Sequence, residues 1–187
     1  MLSIDELGEY IDSRLTRSAF RLELLDRYLV DSDGADLARY LAGKSQPTAG
    51  GKRPWLDRLR REHASGILNH RVHVLRTPLS DYLRYECEWA YAFNAAAGED
   101  IRIIDLAEQV APDGLGAHDF WLIDDQYAIR MCYDDDGRYV GAEPVDAIEL
   151  PHYRRVRDTA VAAGEPFTAW WSRHPEEWQA RRWDEHT

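Results

Sequence analysis

The stretch His70–Ile104, HRVHVLRTPLSDYLRYECEWAYAFNAAAGEDIRII, decides the fold. HRVHVL (70–75) is a short β run with Val72 and Val74 on one face. Pro78 to Ala97 carries apolar residues at helical spacing, and Gly98 supplies a C-cap before the next β run, Ile101–Ile104. Strand, helix and strand at this spacing form a β-α-β unit, whose parallel strands require covering helices. The helix has two apolar stripes, Leu79, Leu83, Cys87, Ala90, Asn94, Ala97 and Tyr82, Tyr85, Trp89, Phe93, Ala96, leaving Asp81, Arg84 and Glu88 as its polar side. Glu86 falls among apolar neighbours, so it needs an Arg or hydroxyl partner as either a site carboxylate or a buried pair tying helix to sheet.

Outward from this unit the chain reads as one α/β domain, residues 1–187: a mixed sheet flanked by helices, with a mainly helical N-terminal region (1–66) and an α/β core with C-terminal helices (67–187). Ser3 to Leu15 is an amphipathic helix with Ser3 and Glu6 as a capping box. Ser18 to Val30 leans to strand, Asp33 to Ala42 to helix, and KSQPTAGGKRP (44–54) to a mobile loop. Trp55 to Ser65 is a helix with Pro54 in its first turn. Asp119–Asp124 and Tyr127–Tyr133 are strands separated by a turn, and Asp136-Gly137 signals a type I′ hairpin into Arg138–Ala142. A helix over Val145–Ala163 and a tail with Trp170, Trp171, Trp178 and Trp183 close the chain, the tail serving as core closure or as an anchor for another protein.

Composition excludes several functions. A formal charge of -11 opposes general nucleic-acid binding, which rests on a basic face. Between Gly51 and Arg76, Lys52, Arg53, Arg58, Arg60, Arg61, Arg71 and Arg76 oppose only Asp57 and Glu62; this basic run is read as the solvated face of a helix. No transmembrane run and no secretory h-region are present, and Cys87 and Cys132 lie in apolar surroundings, which together point to reduced thiols and a cytoplasmic location. His70 and His73 fall on opposite strand faces and cannot share a metal, and Asp134-Asp135-Asp136-Gly137 lacks calcium-loop spacing. No metal site and no cofactor are expected.

The runs AFRLELLDRY (19–28), PWL (54–56), PLSDYLRYE (78–86), AGEDIR (97–102), HDFWLIDD (118–125) and YDDDGRYVG (133–141) resemble an actinobacterial family known as domain of unknown function 6879. The likeness covers nearly the whole chain. It implies a genomic setting beside helix-turn-helix regulators and small partner proteins, hence a regulatory role.

A second likeness is to a degenerate phospholipase D-like half-domain, whose elements follow the same order. His118 and Asp125 have the offset of that family's His-x-Lys-x4-Asp motif, but Phe120 stands where the Lys belongs. In such enzymes the His attacks phosphorus and the Lys stabilises charge on the phosphoryl oxygens, so the change removes a preorganised cation. Three functions follow. The first is a non-catalytic regulatory or interaction module that partners a helix-turn-helix regulator, with homodimerisation open. The second is a phosphodiesterase or other enzyme rebuilt around His118, Asp125 and Glu86. The third is a small-molecule sensor with a cleft lined by Tyr82, Tyr85 and Trp89.

Overall fold

A computed structural model describes residues 1–30, 34–46 and 52–179. The elements are α1 (Ile4–Asp12), β1 (Ser18–Glu23), α2 (Gly34–Leu41), α3 (Arg53–Ala64), β2 (Leu68–Leu75), α4 (Asp81–Glu86), a π turn (Cys87–Tyr91), α5 (Ala92–Ala96), β3 (Asp100–Asp105), β4 (Phe120–Ile123), β5 (Tyr127–Tyr133), β6 (Tyr139–Pro144), α6 (Leu150–Ala163), β7 (Glu165–Pro166) and α7 (Phe167–Arg173), followed by a short 3-10 turn, Pro175–Glu177.

The strands make one mixed sheet in the order β6-β5-β4-β1-β2-β3-β7. β1, β2 and β3 run parallel and every other pairing is antiparallel. The β-α-β unit is therefore present, and helix enters it as α4, the π turn and α5 in continuous succession. The N-terminal region does not stand apart: β1 is the central strand of the sheet, and Asp124 fixes its start by accepting from the backbone N–H groups of Thr16, Arg17 and Ser18.

Alternation along the strands divides the core in two. Phe20, Leu22, Val72, Val74, Ile104, Phe120 and Leu122 face α6 and pack on its Tyr153, Val156 and Ala160. The opposite face meets more covers. Ile101, Ile103 and Leu75 lie under α4, the π turn and α7, whereas Ala19, Ile123 and Ile129 lie under Leu7 and Ile11 of α1. α1 carries the expected capping box, with Ser3 and Glu6 exchanging hydrogen bonds. Trp170 in α7 is 1% exposed and packs in the core, so this part of the tail is core closure; Trp183 lies outside the described residues, as do residues 47–51 of the 44–54 loop.

Two local expectations need correction. Asp124 and Asp125 have φ of 52° and 60°, the two positive values a type I′ turn requires, so that geometry belongs to the β4–β5 hairpin. At Asp136-Gly137 only Gly137 has positive φ (81°); the Asp134 carboxylate organises this turn by accepting from the N–H groups of Asp136 and Arg138. The basic run of residues 51–76 is also not one solvated helix face, since Arg71 lies on β2 and is 3% exposed.

Candidate functional site

The same alternation that gives α6 an apolar face puts Arg21 and Glu23 of β1, and Asn69, Arg71 and His73 of β2, on the front of the sheet. Parallel register sets Arg21 beside Arg71 and Glu23 beside His73. Two neighbouring guanidinium groups in a buried place demand counter-charge. Glu99, just before β3, supplies it: Arg71 grips it with Nε and Nη2 at 2.7 and 3.0 Å. Arg71 Nη1 also donates to Glu23 at 3.2 Å, and Arg21 Nη1 lies 3.2 Å from the other Glu23 oxygen. Burial alone would raise the Glu23 carboxyl, but Arg71 and then Arg21 outweigh it and hold it at about 2. Arg71 in turn is held well above its usual range, because Glu23 and Glu99 overcome the cost of its burial.

The π turn brings Tyr91 to this cluster. Residues five apart on a regular α-helix point about 140° apart, whereas the i to i+5 repeat of a π turn brings them close to one side. Tyr91, fully buried, donates to Glu23 at 2.8 Å and lies 2.7 Å from Nδ1 of His73; the other nitrogen of His73 lies 3.0 Å from the Leu25 carbonyl, to which it donates. Glu86, at the end of α4, reaches within 3.7 Å of His73 Nδ1. This places the Glu86 carboxylate between helix and sheet, at the edge of the same cluster.

A second polar pair borders the cluster. Asp119 accepts from the Tyr28 hydroxyl and from the N–H of Leu24. Burial pushes its carboxyl up to about 6, against the lowering effect of the Tyr28 hydrogen bond.

Over this charged floor opens a cleft of about 910 Å³. Leu7 and Ile11 of α1, Trp55 of α3, and Trp121 and Met131 of the sheet supply apolar walls; Arg21, Glu23, Arg71, Glu86 and Tyr91 form the floor. α1 and α3 are linked near its rim by Arg58 and Asp12 at 2.7 Å. Arg21 is the cation of the floor with most access: its side chain is 23% exposed, against 4% for Arg71. Its guanidinium lies 4.5 Å from the centre of the Trp121 ring, and its buried Nε has no hydrogen-bond partner among the described residues.

Of the residues singled out by sequence, Glu86 and Tyr82 line this cleft. Tyr85 and Trp89 do not: Tyr40 of α2 packs edge-on against both, with ring centres at 5.8 and 5.3 Å, and fills the place a ligand would take. His118 is exposed and outside the cleft. Asp125 lies at the hairpin turn, with its carboxylate 2.6 Å from Arg157 of α6 and its carbonyl accepting from Arg154. His118, Asp125 and Glu86 therefore do not assemble one centre in this geometry.

Sequence reasoning passed over Arg21, Glu23, Arg71, Tyr91 and Glu99. Charged residues at alternate positions of the central strands, Arg21 and Glu23, then Arg71, were the available signal. Tyr91 had none, because the helical period hides the π turn.

Among the described residues no helix is long and apolar enough to cross a membrane. No curated protein matches the sequence. Residues 5–172 match the model of a family described as Domain of unknown function (DUF6879), a span that takes in β1 to β7 and every residue of the cleft floor, and the chain belongs to that family.

Proposed function

We propose that the protein is a regulatory binding module without catalysis of its own, in which the front cleft takes a small, largely apolar molecule bearing an anionic group. The observation that carries this reading is the combination of apolar walls with the partly accessible Arg21, backed by a rigid network of ion pairs. About 910 Å³ lies within the usual range of small-molecule sites. The surrounding ion pairs hold Arg21 in place before a ligand arrives, which lowers the ordering cost of binding.

The partner that reads the occupied state is a helix-turn-helix regulator in the cytoplasm, as the family's genomic setting implies, and a homodimer is compatible with this role. The acidic overall charge favours contact with protein over contact with nucleic acid. Descent of the sheet from a phospholipase D-like half-domain rests on the order of β2, helix, β3, β4 and β5 alone. A phosphodiesterase reading gains nothing from the exposed His118 or from Phe120, which is packed against Tyr153 with ring centres at 4.9 Å.

Anilinonaphthalene sulfonate, an aromatic anion, tests the cleft directly. Gly8 of α1 lines it, and a Cβ added there meets nothing within 4 Å, so Gly8→Trp sets an indole at the cleft wall with no clash at its base. Saturable fluorescence enhancement with one probe per native chain, lost in Gly8→Trp and weakened in Arg21→Gln, is the expected result. Absence of saturable binding, or equal binding by Gly8→Trp, overturns the reading.

A further inference from the structure

A different group of side chains lies at the far edge of the sheet, away from the cleft. Asp105 ends β3, Glu108 follows in the next turn, and His174 follows α7. Their nearest ligand-type atoms all lie within 4.8 Å of one another, although the chain positions span 69 residues (174 minus 105).

His174 points to what they could hold. Its imidazole is 6% exposed and lies 4.5 Å from the Trp170 ring centre. Its Nδ1 is 2.8 Å from the Trp170 carbonyl, an acceptor only, so Nδ1 carries a proton and donates it there. That bond fixes the ring in the manner usual for metal-binding histidines, whose second nitrogen donates to a backbone carbonyl. Nε2 makes no hydrogen bond among the described residues and stands 3.4 Å from Glu108 Oε1. This separation exceeds an ordinary hydrogen bond. It equals the spacing of about 3.3 Å between two ligands that sit roughly 2.0–2.1 Å from a tetrahedral ion.

The carboxylates have capacity left. Asp105 accepts from Thr77 N, Thr77 Oγ1 and Ala107 N, at 3.1, 2.9 and 2.8 Å, with only the hydroxyl on Oδ2. Glu108 pairs with Arg173 at 3.1 Å on each oxygen, but its side chain is 39% exposed and can turn to close the set. A nitrogen ligand beside two carboxylates suits a borderline transition ion such as Zn²⁺ better than Ca²⁺ or Mg²⁺, which prefer oxygen alone.

We propose that Asp105, Glu108 and His174 form a Zn²⁺ site, with water in the fourth position, that clasps the segment after α7 to the end of β3. Arg173 competes with the ion for Glu108.

The full chain, stripped with a chelator and titrated with zinc chloride alone, tests the site by calorimetry and by thermal melting. One saturable site and a rise in Tm are expected. His174→Gln and Glu108→Gln should each weaken binding by more than about tenfold, since even residues behind the ligands commonly contribute that much. Arg173→Gln should tighten it. Glu108 is exposed, so Glu108→Gln is readable even if His174→Gln fails to fold. Tetrahedral visible absorption from Co²⁺, lost in Glu108→Gln, is a second readout. No saturable binding, or Zn²⁺ binding left unchanged by Glu108→Gln, overturns the proposal and leaves an imidazole–carboxylate contact with no metal role.

Discussion

Arg71 and Glu99 meet in a bidentate pair across the β2–β3 seam, with N–O distances of 2.7 and 3.0 Å and each side chain 4% exposed. Glu99 sits one residue before β3, two positions before Ile101, the register partner of Arg71, and the long Arg71 side chain reaches back along the seam to it. The pair anchors the cleft floor, because the same guanidinium also holds Glu23.

Removing Arg71 should therefore cost far more than an average substitution. Arg71→Met leaves Glu23 and Glu99 buried without their main counter-charge, a loss of about 3–5 kcal/mol. Arg71→Lys should recover only part, since an ammonium cannot span both Glu99 oxygens in parallel. Urea unfolding of the three proteins checks the order: wild type, then Lys, then Met.

Acid should destabilise the protein in two windows. Burial, then Arg157, holds His70 down to about 4, against about 6.5 for an unfolded chain. The folded state thus disfavours imidazolium, and stability present above pH 6.5 is lost as pH falls toward 4, by up to about 3 kcal/mol. Glu23, held at about 2, keeps its contribution above about 4.3 and loses it as pH falls toward 2. Asp119 opposes the first window: pushed up to about 6, it contributes most below about 3.9, and that contribution is lost as pH rises through 6. Melting curves from pH 7 to 4 should show a stability advantage of wild type over His70→Gln that shrinks with acid.

Two glycines should respond to alanine with opposite sign. Gly137 has φ of 81°, and a Cβ there would stand 2.4 Å from the Arg27 carbonyl oxygen, where the hairpin meets the segment after β1. Gly137→Ala should destabilise by about 1–3 kcal/mol. Gly8 lies within α1 with open space around it, and Gly8→Ala should stabilise by about 0.5–1 kcal/mol. Thermal denaturation of both variants reads the contrast.

Exchange of His118 separates the two readings of the HDFWLIDD stretch. Its exposed position predicts that His118→Ala changes unfolding free energy by less than about 0.5 kcal/mol and leaves anilinonaphthalene sulfonate binding unchanged. A large fall in probe affinity would return His118 to the site.

Local pattern carried much of the fold. Tyr127–Tyr133 has as a strand the bounds its sequence pattern gave, and the strand–helix–strand order of residues 68–105 follows from period alone. The pairing of β1 with both β2 and β4 was not legible, since those partners lie about 50 and 100 residues away in the chain. Of the site, Glu86 was visible as a misfit on an apolar helix face. Arg71 was submerged in a run of basic residues, and Tyr91 was displaced by the π turn from the stripe a regular helix would give it.

By itself, then, the sequence determined which segments are helix or strand and which positions share a face, because those properties depend on neighbours within a few residues. Only the tertiary structure decided what each face meets. Register along the parallel strands set Arg21 beside Arg71 and Glu23 beside His73, packing brought Tyr91 onto them, and Tyr40 filled the space beside Tyr85 and Trp89. The physical reason is that burial of charge depends on partners that are remote in the chain: Arg71 can be 3% exposed only because Glu23 of β1 and Glu99, just before β3, arrive to balance it.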